Sequence, residues 1–154
     1  MEVDTGRNYY EEAEVAPVAR VGVQDARAFI KAMLDLFRNN GTLYISSYDF
    51  GYWAGELSHF RSAERVKLNT SLPDAAFLEN GYSLTDDFIY VFSVECLNSV
   101  DPKSMFNQFL IYQKGTPVLQ CCCNFEEVYV NTKLPKTVID KLMRSGVIAS
   151  WEKR

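Results

Sequence analysis

The stretch from Phe106 to Val130 constrains this chain most. Lys114-Gly115 is a two-residue hairpin loop between a strand predicted at Phe106–Gln113 and a return predicted at Val118–Val130. Pairing across that loop sets Leu110 opposite Leu119 and Ile111 opposite Val118. On this register Phe106, Leu110 and Tyr112 share one side with Leu119, Cys121 and Cys123. Phe109 and Ile111 share the other with Val118, Gln120 and Cys122. A sheet with one wet face should alternate apolar with polar. This hairpin is apolar on both faces, so the second face, with Gln113 and Gln120 mixed in, is expected to meet another polypeptide. The alternative is that the C-terminal helix covers it.

The rest of the pattern predicts an α+β fold. Phe29, Ile30, Met33, Leu34 and Phe37 fall on one face of a helix over 25–39, and Asn39-Asn40-Gly41 stops it. Thr42–Ser47 alternates as a short strand, with strand continuing to about Trp53. A helix is expected from about Leu57 to Leu68, turning Leu57, Phe60 and Ala63 inward. Pro73 to Gly81 reads as a turn or short helical piece. Phe88–Leu97 reads as a strand, with Phe88, Tyr90, Phe92, Val94 and Cys96 on one side and Ile89, Val91 and Leu97 on the other. A last helix starts at Pro135, buries Val138, Ile139 and Leu142, and ends at Gly146. At 154 residues one domain suffices. The expected division is an acidic N-terminal arm at 1–20, the domain at 21–130 and a C-terminal helical extension at 131–154.

Charge argues against a polyphosphate partner. Glu2, Asp4, Glu11, Glu12 and Glu14 against Arg7 account for the whole net charge of −4, leaving a neutral body. Lys133, Lys136, Lys141, Arg144, Lys153 and Arg154 outnumber Asp140 and Glu152 in the last segment. They read as a solvated helix face with weak nucleic-acid contact at most. The start of the chain shows no secretory pattern and no run spans a bilayer, so no membrane role is expected.

Cys96 stands apart from Cys121, Cys122 and Cys123. Consecutive residues of a strand point to opposite faces, which fits neither a disulfide framework nor a ligand spacing. Reduced, intracellular thiols packed in core and interface are expected, with no metal and no cofactor. A catalytic thiolate needs a cationic neighbour. The single histidine, His59, reads as an exposed or interface residue, Asp86-Asp87 as turn residues and Glu95 as a sheet-edge or interface residue. Phosphate-loop, dinucleotide, nucleophile-elbow and zinc-protease signatures are absent. No enzyme is expected.

Three segments resemble the nuclear transport factor 2-like family. Leu43-Tyr44 followed by Phe50, Trp53 and Gly55 is similar to its Leu-Tyr … Trp-x-Gly segment. Phe106-Asn107-Gln108-Phe109-Leu110-Ile111 is similar to its Phe-x-Gln-x-Phe strand. Cys123-Asn124-Phe125-Glu126 stands where the family has Asn-Asp-hydrophobic-Phe-Arg. The resemblance covers about 25–130 and implies helices packed in the concave side of a strongly curved antiparallel sheet, a cone. Glu126 in place of the usual Arg, and the segment 131–154, sit best with the small subunit of the messenger-RNA export receptor heterodimer. That implies a non-enzymatic subunit of nucleus and cytoplasm. Its partner would be the larger receptor subunit, with nucleoporin repeats as a further contact. The open sheet face would be the interface, formed by Phe92, Phe109, Ile111, Val118, Gln120, Cys122 and Asn124. Phe37, Trp53 and Leu110 would line the cone cavity. A homodimeric import carrier of the same fold, binding a second copy of itself, and a small-molecule enzyme using the cavity are the alternatives.

Overall fold

The computed structural model describes residues 18–47, 50–62, 66–67, 77–78 and 81–154. The elements are β1 Ala19–Val23, α1 Ala26–Leu36, β2 Thr42–Ser46, α2 Gly51–Glu56, a 3-10 turn Ser58–Phe60, β3 Val66–Lys67, β4 Phe77–Leu78 and β5 Tyr82–Ser83. There follow α3 Asp86–Val91, running on as a π-helical turn Phe92–Cys96, then α4 Pro102–Met105, β6 Gln108–Gln113, β7 Thr116–Cys122, β8 Glu127–Val130, α5 Lys136–Arg144 and β9 Ile148–Lys153. Seven strands form one antiparallel sheet in the order β5-β2-β6-β7-β8-β1-β9, and β3 pairs with β4 separately. The fold is α+β, as the sequence predicts. Tyr48, Asp49, Ala63 and residues 1–17, and most of the expected turn from Pro73, lie outside the described residues.

Local chemistry explains α1 and α3. Asp25 accepts a hydrogen bond from the Ala28 amide and caps α1, whose Phe29, Ile30, Met33 and Leu34 form the buried stripe. Thr85 caps α3 through the Phe88 amide at 3.2 Å, and Asp86 and Asp87 place negative charge in its first turn. The strand expected at Phe88–Leu97 is therefore a helix. Phe88, Phe92 and Cys96 are spaced by four, a separation that puts side chains on one side in either geometry. Tyr90 and Val94 break the tie, because they are exposed while the three residues around them are buried. The strand expected up to Trp53 is also helical, as α2. The helix expected from Leu57 gives way to the 3-10 turn and then to strand at Val66–Lys67.

The hairpin loop stands where the sequence puts it. Lys114 and Gly115 both adopt left-handed backbone, with φ of 49° and 78°, as a type I′ turn needs. The register differs. A bulge between Ile111 and Tyr112 sets Ile111 opposite Leu119 and Leu110 opposite Gln120. One residue of shift exchanges the faces of the returning strand. Lys114 lacks the freedom of glycine or the tolerance of asparagine for this backbone. Lys114→Asn should raise stability by about 0.5–1 kcal/mol, seen as a higher urea midpoint at unchanged slope.

The single return strand expected at Val118–Val130 is two strands, since the chain turns at 123–126. The expected boundary at 20/21 falls inside β1, and that at 130/131 falls at the end of β8, with β9 of the same sheet beyond it. Ala19 pairs with Val130 of β8 and with Lys153 of β9, so the end of the arm and the whole extension complete the fold.

One core cluster joins Phe29, Ile30, Met33 and Leu34 of α1 to Leu43, Phe109, Ile111, Leu119, Cys121, Val128 and Val130 of the sheet. The aromatic content has its place here. Tyr82, Phe88 and Phe92 stack at 5.2 and 5.3 Å, and Phe92, Phe109 and Phe125 follow at 6.4 and 6.0 Å. Tyr44, Leu110, Tyr112, Cys122 and Tyr129 form a second buried cluster on the other face. Both apolar faces of the hairpin are thus buried within the chain.

Candidate functional site

The residues expected to meet a partner do not share a surface. Phe109 and Ile111 have no solvent exposure and, with Val118, belong to the core beside α1. Phe92 lies in the π-helical turn, stacked on Phe88, and is not a strand residue. Gln120 is buried and accepts a hydrogen bond from Asn131 of the same chain. Cys122 belongs to the opposite sheet face from Phe109. Asn124 sits in the turn, where its side-chain amide donates to the Lys103 carbonyl. The bulge is the physical reason, because it carries Gln120 and Cys122 to the side of Leu110 and Tyr112. Even that side is closed: burial pushes the Tyr112 phenol up to about 12.

The expected cavity set is divided too. Phe37 is buried in the main core and Trp53 packs at its edge, whereas Leu110 is in the cluster across the sheet. His59 is exposed and lies against Phe60 at 4.0 Å between ring centres. Glu95 is exposed on the π-helical turn, not at a sheet edge.

Among the described residues, a groove lies open between α1 and the α3 helix. It holds about 290 Å³ and is lined by Lys31, Asp35 and Arg38 on one wall and by Ile89, Tyr90, Ser93, Val94 and Asn98 on the other. Tyr90 is 67% and Val94 47% exposed, one turn apart. The walls are tied together. Arg27 donates through Nε to the Leu97 carbonyl at 2.7 Å and through Nη2 to the Val100 carbonyl at 2.6 Å. Lys31 Nζ donates to Asn98 Oδ1 at 3.1 Å, and Arg38 bridges Asp35 at 2.6 Å and Asp86 at 2.8 Å. The hydrogen bond from Arg38 holds the Asp86 carboxyl below its usual range. The pair is solvated and stabilises little.

Inside this helix the Leu97 amide reaches the Phe92 carbonyl at 2.8 Å, five residues back. Such π turns recur at functional positions. The sequence reading missed the groove by taking 88–97 as a strand, which put Tyr90 and Val94 on the side of Phe88 and Phe92. The Thr85-Asp86-Asp87 run was the available signal, as an N-cap followed by two first-turn acids.

The thiols divide by burial. Cys96 and Cys121 are buried and Cys123 is exposed. Burial pushes Cys96 up to about 12. Among the described residues no helix is long and apolar enough to cross a membrane.

No family model, curated protein or solved structure matches this chain.

Proposed function

We propose that this chain is a non-enzymatic, protein-binding subunit whose partner seats in the groove between α1 and α3. The observation that carries this is the exposed pair Tyr90 and Val94 on a helix anchored to α1 by Arg27 and Lys31. Exposed aromatics on a rigid support are the usual anchors of protein interfaces. Lys31, held by the neutral Asn98, adds a cation at the rim. The fitting segment brings an apolar side chain to Tyr90 and Val94 and a carboxylate to Lys31.

The nuclear transport factor 2-like reading enters here as part of the proposal. It takes the seven-stranded sheet as a curved cone and the partner as a similar domain of a larger messenger-RNA export receptor. It is supported by the matching segments on β2 and β6, which are adjacent, with Leu43 opposite Ile111. The chain order differs from the expected one, since a strand precedes α1 and another follows α5. With Phe109 and Ile111 interior, docking moves from the sheet to the helices.

The test is titration of the purified chain with that receptor domain, beside sedimentation of the chain alone. Val94→Arg and Tyr90→Ser should each weaken a 1:1 complex by about tenfold or more. Equal affinity for wild type and both variants would remove the groove from the reading. A dimer of the pure chain that Val94→Arg splits would make the partner a second copy.

A further inference from the structure

We propose that Cys122, Cys123 and Glu127 form a binding site for a thiophilic divalent metal ion of the zinc class. Along an uninterrupted strand Cys122 and Cys123 would point to opposite faces. Strand β7 instead ends at Cys122, and Cys123, Asn124 and Phe125 all take left-handed backbone, with φ of 57°, 58° and 68°. Asparagine tolerates that region, but Cys123 and Phe125 are strained in it and persist there only where their surroundings hold them. Here the holding groups are visible. Phe125 packs on Phe109 at 6.0 Å, and the Asn124 amide donates to the Asn107 carbonyl at 3.3 Å.

The turn brings the Cys123 sulfur beside that of Cys122. Glu127 opens β8 directly opposite Cys122 in the ladder, which adds a carboxylate. The Sγ atoms of both cysteines and a carboxylate oxygen of Glu127 all lie within 4.8 Å of one another. Two thiolates and one carboxylate are donors that suit zinc and cadmium and discriminate against magnesium and calcium. Three protein ligands leave one position of a tetrahedron open, and the exposure of Cys123 puts that position toward solvent.

Two thiols and a carboxylate this close together are a cluster of potential anions, which a cation placed among them stabilises. On binding, the metal replaces the two thiol protons, which pass to solvent, and no electron is transferred. Cys121 takes no part, being wholly buried in the core.

The experiment is titration of the reduced full-length chain with cadmium or cobalt, followed by thiolate-to-metal charge-transfer absorbance and, for cobalt, the visible bands of a tetrahedral ion. Saturation at one equivalent is expected. Cys123→Ser should abolish the signal, and its exposed position should leave the fold intact by circular dichroism. Glu127→Gln, which keeps both thiols, should weaken affinity by about tenfold or more. A wild-type chain without the band at one equivalent would overturn the site. So would a band of unchanged strength in Cys123→Ser, or Glu127→Gln with wild-type affinity.

Discussion

Ile111→Arg is expected to unfold the protein. Ile111 has no solvent exposure, stands between Leu43 on β2 and Leu119 on β7, and shares the core with α1. A guanidinium there would have neither water nor a carboxylate partner. The desolvation of an isolated charge costs several kcal/mol even after relaxation. Lost packing of the isoleucine adds about 2–5 kcal/mol. Together these match the whole stability of a typical domain, about 5–15 kcal/mol. Circular dichroism should show no cooperative melt, while Ile111→Val should melt normally with a loss of about 0.5–1.5 kcal/mol. A folded, soluble arginine variant with the wild-type midpoint would mean that this sheet face is open after all.

Removal of residues 148–154 should have an effect of similar size. Strand β9 is the outer partner of β1 through Ala19, Arg20, Val21, Gly22 and Val23. It also contributes the buried Ile148 and the partly buried Trp151 to the main core. Loss of Ile148 packing alone costs about 2–5 kcal/mol. The missing strand further exposes the edge of β1 and invites pairing between molecules. The truncated chain should lose its cooperative transition and aggregate at concentrations where the full chain is soluble. A truncated chain that melts like the parent would show the segment to be a dispensable extension.

The sequence was informative wherever one local rule acted alone. The α1 stripe, the Lys114-Gly115 loop and the Pro135 and Gly146 ends of α5 all stand as expected. It misled where two periods coincide. Phe88, Phe92 and Cys96 satisfy both a helix and a strand, and the cap that decides between them lies upstream at Thr85. The faces of β7 were illegible for a different reason. A bulge is an extra residue with no composition of its own, and a shift of one moved Gln120 and Cys122 across the sheet. β9 has no strong alternation and β1 is only five residues long, so each is a strand because of its neighbours. The groove depends on the helix at 86–96 and the Cys122–Cys123–Glu127 cluster on the turn after β7, two features that hydrophobic periodicity does not disclose.

The place of β1 between β8 and β9 orders events during synthesis. This five-residue strand leaves the ribosome well before its hydrogen-bonding partners, of which Tyr129 and Val130 come first and Lys153 last. Contacts this distant along the chain close slowly. Until β8 and β9 have both emerged, the nascent polypeptide carries Ala19–Val23 with both backbone edges unpaired, a target for chaperones and for neighbouring chains on the same message.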